Sequence, residues 1–438
     1  MIKLYKEHPE FDAFTLFDTE SGKLATITEN EFKRFLPENF KEKSTDANPI
    51  QRIVTADATI FTGKISETHT RFPRRIYFQI TRNCNLECPT CFIKAQKNGS
   101  HIPLDTVIKT AKFTGKNGLI EVRLTGGEPT SHPDLIKIIH AFKDAGVYVS
   151  LATNGLIKRK VLESLSEEKA LWIICSIDGN PKTHNLYRNN SFDTIYKNLI
   201  FLKQKNPLIR LRITTVLTKD NKDQISEIVA IAKSLDAESI TIIPLRPQVR
   251  NEIMKKKMVT ALEFKKVIDD LVDAGEKYNI KVTTTIETDY KDKIYKDPVF
   301  RKKSSCAAGR EGTNLDYDSR KKELVLYGCS YSPAVDFDVD TRLKQIFVAG
   351  SFSENNIETF FDIWKTDQLW SLYRDLSLKS NECECCNYYN NHQCSGSCPI
   401  QNIDYSSIML SEDVISQLKY DLKKTSEWYC YKKIFDNA

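Results

Sequence analysis

Between about Arg74 and Gly275 the chain alternates two rhythms. Short runs of β-branched and aromatic residues predict strands over 75–81, 121–125, 147–152, 171–177, 211–217 and 239–245. Between them the apolar spacing changes to that of helices. Ile225, Ile228, Val229, Ala232 and Leu235 fall on one face, with Asn221 as the expected N-cap. Leu135, Ile138, Ile139 and Phe142 form a second stripe between Pro133 and Gly146, a proline start and a glycine stop. Leu262, Val267, Ile268, Leu271 and Val272 form a third. Six β/α units in series predict an α/β fold with a parallel sheet and right-handed crossovers, either open or rolled into a full or partial barrel. Each of these architectures puts functional loops at the C-terminal ends of the strands.

The two ends of the chain read differently. Residues 14–17 and 24–27, separated by Asp18-Thr-Glu-Ser-Gly22, predict a hairpin, and a short helix is expected over 29–36. Residues 40–70 are polar and read as a linker or cover. Beyond about residue 300 the β/α rhythm stops, and cysteine, glycine and tyrosine dominate up to about 400. A last helix is expected from about Ser411, carrying Val414, Ile415, Leu418 and Leu422 ahead of Cys430. Three domains follow: 1–70, an N-terminal hairpin and helix; 71–290, the β/α region; and 300–438, a cysteine-rich domain.

At 438 residues the chain exceeds one small core. No run approaches the roughly 18 apolar residues of a membrane span, and the start, Met1-Ile-Lys-Leu-Tyr-Lys-Glu-His8, lacks the apolar core of a secretory signal. A cytoplasmic protein that engages no membrane is expected. The net charge of +6 is spread along the chain, and Lys255-Lys256-Lys257 reads as a solvated face, so no nucleic-acid partner is expected. The cysteines change the picture. There are 12, six of them in the last 56 residues. In a reducing compartment that distribution points to metal binding rather than disulfides.

Directly after the first β/α strand stands Cys84-Asn-Leu-Glu-Cys88-Pro-Thr-Cys91. Closed structural sites normally have four protein ligands. Three thiolates can hold three irons of a four-iron, four-sulfur cluster and leave the fourth iron free. A zinc knuckle with a distant fourth ligand is the competing reading. After the second strand comes Gly126-Gly127-Glu128-Pro129. Paired glycines let backbone approach a ligand, and the carboxylate can accept hydrogen bonds from an ammonium group; a plain tight turn is the alternative. Cys175, inside an apolar strand, reads as a core thiol.

Taken together, these motifs resemble the radical S-adenosylmethionine (SAM) superfamily over residues 74–275. The resemblance implies a partial (β/α)6 TIM-like barrel in which Cys84, Cys88 and Cys91 hold a [4Fe-4S] cluster whose free iron is chelated by SAM. It further implies that an electron from an external donor, such as flavodoxin or ferredoxin, leads to a 5′-deoxyadenosyl radical that abstracts a substrate hydrogen. Gly126, Gly127, Glu128 and Pro129 match the segment that contacts the SAM amino group. Asn154, in Thr153-Asn154-Gly155, lies on the matching third loop. Ser176, in Ser176-Ile-Asp178-Gly179, and Arg188 match residues that bind the ribose or carboxylate of SAM. One departure is Thr90 where relatives often carry an aromatic residue; Phe92 is the candidate replacement.

The tail resembles the SPASM extension of peptide- and protein-modifying radical SAM enzymes. By that resemblance Cys383, Cys386, Cys394 and Cys430 bind an outer auxiliary cluster, while Cys306, Cys329 and Cys398 bind an inner one, for three [4Fe-4S] clusters in all. Seven residues separate Cys386 from Cys394, where five are usual, and Gly328 directly precedes Cys329. The inner cluster either takes Cys385 as its fourth ligand or keeps an open iron. Two zinc-ribbon sites are the alternative.

The expected function is a maturase that forms a C–C, thioether or ether crosslink in a ribosomally made precursor peptide. The N-terminal segment then either binds the peptide's leader or straps the barrel. The alternatives are an anaerobic sulfatase-maturating oxidase, another SPASM dehydrogenase, and a non-catalytic metal-binding scaffold. Tyr331, Asp336 and Asp338 are candidates for a general base, without geometry to choose among them.

Overall fold

The computed structural model describes residues 2–6, 13–18, 24–28, 58–61, 69–91, 93, 95–245, 252–284, 307–329, 346–375, 378–390, 410–424 and 429–435. The six expected central strands form as β5 (Arg75–Thr81), β6 (Glu121–Gly126), β7 (Tyr148–Thr153), β8 (Leu171–Ser176), β9 (Arg210–Leu217) and β10 (Ser239–Pro244). Each pairs in parallel with the next in chain order. A seventh, β11 (Lys281–Thr284), extends the series past β10. Beyond β5, on the other side, lie β12 (Gly312–Asp318), parallel to it, and then the antiparallel pair β13 (Glu323–Tyr327) and β14 (Val348–Phe352). The sheet therefore runs β11-β10-β9-β8-β7-β6-β5-β12-β13-β14 and does not close, since β11 and β14 are its two edges. It is a partial TIM-like sheet.

Side-chain alternation divides the sheet into two faces. Ile76, Phe78, Val122, Leu124, Val149, Leu151, Ile173, Leu211, Ile213, Ile240 and Ile242 are buried in one continuous core with the helices. The intervening residues face the other way. On β9 the alternation is strict: Arg210, Arg212, Thr214 and Val216 are half-buried while Leu211, Ile213, Thr215 and Leu217 are buried.

The crossover helices include α1 (Leu104–Lys116), α2 (Leu135–Asp144), α3 (Arg159–Ser166), α4 (Pro181–Tyr187), α5 (Phe192–Lys205), α6 (Ile225–Ser234) and α7 (Ala261–Tyr278). The longest, α7, starts on a reciprocal capping box between Thr260 and Glu263 and stops at Asn279 in the left-handed conformation. Asn221 does not cap α6; Gln224 holds that position. The Asn221 side chain instead accepts from Thr218 N at 2.8 Å and donates to Val216 O at 2.8 Å and Asp178 O at 2.9 Å, which joins the ends of β8 and β9.

At the N-terminus the expected hairpin forms between β2 (Ala13–Asp18) and β3 (Leu24–Thr28). Two strands that the pattern does not predict complete a small sheet: β1 (Ile2–Lys6), antiparallel to β2, and β4 (Ala58–Phe61), parallel to β1. The second lies inside the segment read as a polar linker, where Ala-Thr-Ile-Phe is a short apolar run. The helix expected over 29–36 lies outside the described residues. Phe17 is buried against the main sheet, edge-on to Tyr148 with ring centroids 6.0 Å apart. The loss of rhythm beyond residue 300 also hides β12 to β14, because only part of each strand alternates. Among the described residues no helix is long and apolar enough to cross a membrane.

Candidate active site

Parallel strands end on one rim, and that rim gathers the predicted motifs. The loop after β5 carries Cys84, Cys88 and Cys91. The Cys84 thiol accepts from Leu86 N at 3.4 Å and lies 3.9 Å from Asn154 Nδ2. Cys91 N donates to Cys88 O at 3.0 Å, which folds the second half of the loop into a turn. All three thiols are free; Cys84 is buried and the other two are partly exposed. Burial pushes the Cys84 thiol upward and the Cys88 thiol up to about 11, with the Arg188 charge opposing both shifts. Taking up metal as thiolates therefore releases protons.

The next loop locks onto this one through backbone. Gly127 N donates to Thr81 O and Glu128 N to Asn83 O, both at 2.8 Å. A Cβ at Gly126, where φ is +139°, would sit 2.2 Å from Thr81 O, and one at Gly127 would sit 2.2 Å from Asn83 O. The glycine pair is thus required first by the close approach of two loops.

Glu128 is the hub of the rim. It is fully buried. One carboxylate oxygen accepts from Thr130 N at 3.0 Å, Thr130 Oγ1 at 2.7 Å and Thr153 Oγ1 at 2.7 Å. The other accepts from Asn154 N at 2.7 Å. Burial pushes its pKa up, and these four donated bonds oppose that shift without cancelling it. The carboxylate that the sequence offers to an ammonium group is thus already engaged by four donors within the protein. Pro129 begins a single 3-10 turn that returns Thr130 to Glu128. Asn154 completes the circuit, with Nδ2 donating to Asn85 Oδ1 at 2.8 Å while Asn85 Nδ2 donates to Leu156 O at 2.8 Å.

Ser176 ends β8 on the inner face, in register with Thr214. Nearby, Arg188 Nε donates to Asp178 Oδ2 at 2.6 Å, and Val216 N donates to Asp178 Oδ1 at 2.8 Å. Both members of the ion pair are buried, and Asp178 keeps Arg188 protonated despite its burial. The structure thus brings Cys84, Cys88, Cys91, Asn154, Ser176 and Arg188 to one rim.

In the tail, Cys383, Cys386 and Cys430 lie close enough for their charges to raise the Cys383 pKa, after burial as the larger cause. Cys386 N donates to Cys383 O at 3.1 Å, and Lys433 N to Cys430 Sγ at 3.4 Å. Tyr429 anchors the last segment on the barrel through a hydrogen bond to Val259 O at 3.1 Å. Cys329 is buried beyond β13, whereas Cys385 is exposed. Cys306, Cys394, Cys398, Phe92, Tyr331, Asp336 and Asp338 lie outside the described residues.

Some participants have no sequence signal. Asn85 and Thr153 sit inside the motifs but are not marked by type. An ion pair between the partly buried Arg82 and the buried Asp316 ties the start of the cysteine loop to β12. Burial raises the Asp316 carboxyl to about 6, with the Arg82 charge pulling the other way.

A family profile decides what this rim belongs to. The Radical SAM superfamily profile matches residues 78–232, from β5 to α6. The chain is a radical SAM enzyme. Its relatives include an AdoMet-dependent heme synthase from Methanosarcina barkeri, 25% identical over 338 residues, which covers 73% of this chain and 90% of that one. A PqqA peptide cyclase from Rhodopseudomonas palustris is 20% identical and covers 74% of this chain and 81% of its own. SuiB from Streptococcus suis, solved with S-adenosylmethionine and with its precursor peptide SuiA, superposes with a TM-score of 0.65 at 15% identity and covers 97% of both chains. As a radical SAM enzyme, the chain uses SAM and a [4Fe-4S] cluster. The donor set of the rim fits that pair: three free thiols on one loop, one of them accepting N–H donors, stand beside a buried guanidinium, though among the described residues they do not converge on one metal-binding point.

Proposed function

We propose that this radical SAM enzyme modifies a ribosomally made peptide, joining two of its atoms by a C–C, thioether or ether bond. In this reading Cys84, Cys88 and Cys91 hold the cluster, and the backbone of Gly126 to Pro129, with Asn154, Ser176 and Arg188, positions SAM. When bound and reduced by a flavodoxin- or ferredoxin-type donor, the cluster and SAM supply a 5′-deoxyadenosyl radical that abstracts a substrate hydrogen. The protein's part is to orient and shelter. Arg188 is a permanent cation suited to the carboxylate of SAM, and Asp178 fixes where it points. Glu128 holds the second and third loops in one arrangement, so the backbone facing SAM is set before SAM arrives.

The observation that carries the peptide reading is that Cys383, Cys386 and Cys430 lie near enough for their charges to act on Cys383, beside a chain end anchored on the barrel. Among the described residues they do not converge on one metal-binding point; the reading assigns them to an auxiliary cluster in a domain spanning 300–438. Cys394 would be the fourth ligand there, and Cys306, Cys329 and Cys398 would serve the inner cluster. The exposure of Cys385 favours an inner iron left open to substrate or solvent. Residues 1–70 would form a separate leader-binding domain, and 71–290 the barrel. The PqqA peptide cyclase relative and the SuiB likeness support the same substrate class.

Co-expression with any short peptide encoded beside its gene tests the proposal. Mass spectrometry should show a peptide lacking two hydrogens, formed only with intact Cys84, Cys88 and Cys91. SAM cleavage with no change in any such peptide would remove the reading. The heme synthase relatives favour a second reading, in which the substrate is a small molecule. Turnover of a non-peptide substrate by the reconstituted enzyme would establish it.

A further inference from the structure

Below the rim, the inner face of the sheet carries an excess of positive charge. Arg75, Arg123, Arg210 and Arg212 lie there with two carboxylates. Glu121 is shared by Arg75 at 2.6 Å and Arg123 at 3.0 Å, and Glu238 pairs with Arg210 at 3.0 Å. Arg212 has no carboxylate partner among the described residues; its Nε donates to Ser239 Oγ at 3.1 Å. Three of these guanidinium groups surround one indole, with Arg212, Arg210 and Arg123 at 4.2, 4.8 and 5.9 Å from the Trp172 ring centroid. Cations gathered around one ring repel one another, and a chain with nothing to place there would be better served by neutral side chains.

We propose that Arg212, with Arg123 beside it, forms an anion site on the inner face of the sheet that takes a carboxylate of the substrate. Three observations support this. Arg212 is half-buried, so its charge acts in a reduced dielectric and attracts an anion more strongly than a surface arginine does. Its pKa is drawn down to about 10, first by burial and then by the Arg123 charge, with Glu121 pulling the other way without cancelling them, so an added anion would be favoured. The Trp172 indole N–H, on the same ring, is buried with no acceptor among the described residues and offers a second donor.

Position makes the site one for substrate rather than for SAM. Arg212 pairs with Ile174, and two residues further along β9 Thr214 pairs with Ser176, the proposed SAM contact. Two strand residues separate these layers by roughly 7 Å. A guanidinium fork matches a carboxylate in two parallel hydrogen bonds. A group held there would belong to a substrate that reacts at the rim and extends inward. In a peptide that means an Asp or Glu within about two or three residues of the modified position, given roughly 3.5 Å per extended residue. The inference rests on the peptide reading only for what carries the carboxylate.

Calorimetric titration of the reconstituted, SAM-loaded enzyme with acetyl-Gly-Glu-Gly-amide and acetyl-Gly-Gln-Gly-amide tests it. The Glu probe should bind about tenfold or more tighter than the Gln probe. Arg212→Gln should erase that preference, and Arg212→Lys should keep part of it. Iron content and circular dichroism show whether each variant folds. Equal binding of the two probes to the wild-type enzyme, or an unchanged preference in Arg212→Gln, overturns the site. If N-acetylglutamate amide binds as tightly as the Glu peptide and with the same dependence on Arg212, the site stands and the peptide reading falls.

Discussion

The two ends of the same parallel strands are built on opposite principles. At the C-terminal rim, polar groups satisfy one another: Glu128 accepts four hydrogen bonds, Asn154 bridges to Asn85, and Asp178 holds Arg188. At the other end positive charge is in excess: Glu121 pairs with two arginines, and among the described residues Arg212 touches a hydroxyl and an indole, with no carboxylate in salt-bridge contact. Closed networks are rigid and suit a cofactor whose position must not vary, whereas an unneutralised cation suits a ligand that comes and goes. One sheet can do both because its inward side chains change every two residues.

The largest expected effect breaks the rim. Cys88→Ala should lower iron by about four atoms per chain and abolish 5′-deoxyadenosine formation, since the remaining thiols cannot hold the cluster with its open iron. Metal analysis beside chromatography of the reaction checks this. Next comes the inward face. Glu121→Gln leaves two guanidinium groups without their shared counter-charge and should cost about 2–4 kcal/mol of stability, toward the lower end because Arg75 is 40% exposed. Burial alone would raise the Glu121 pKa, but Arg75 and Arg123 outweigh it and hold the carboxyl near 2. Its stabilising contribution is therefore complete above the usual carboxylate value, near 4.5, and is lost as pH falls from there toward about 2. Denaturant titrations should show this acid loss in the wild type and a flatter profile in the variant.

A smaller effect separates the two regions. Glu128→Gln keeps the shape of the hub but removes its charge and half its acceptor capacity, at about 1–3 kcal/mol. Amide exchange at Asn154 and Gly155 should accelerate about tenfold to a hundredfold while that of β9 stays unchanged. The smallest effect is that of Cys175→Ala. This thiol is buried in the helix-facing core, so the variant should lose about 1 kcal/mol and no iron.

The same contrast explains what the sequence discloses. The rim is legible because its chemistry depends on backbone and spacing: three cysteines in one loop, two glycines where a Cβ would strike Thr81 O and Asn83 O, and Thr153-Asn154-Gly155 in the third loop. The inward face is not, because Arg210 and Arg212 on an otherwise apolar strand look like solvent-facing positions of a half-buried sheet. Nothing in their spacing brings them to Arg123, more than 80 residues earlier. The six central strands read clearly from their β-branched runs. β4 and β12 to β14 do not, since Ala58–Phe61 sits in polar surroundings and Gly312–Asp318 carries two buried polar residues, Asn314 bonded to Gly328 just past β13 and Asp316 paired with the distant Arg82. Glu128 is a middle case, its position plain and its inward turn visible only in three dimensions.

The central claim is that the rim holds an iron–sulfur cluster with one iron open to SAM. Electron paramagnetic resonance of the dithionite-reduced Cys84/Cys88/Cys91 cluster, with the tail cysteines replaced so that one cluster remains, tests this most directly. Addition of SAM should shift the g-values and yield 5′-deoxyadenosine on turnover. An unchanged spectrum and intact SAM, in a sample holding its full complement of iron, would contradict it.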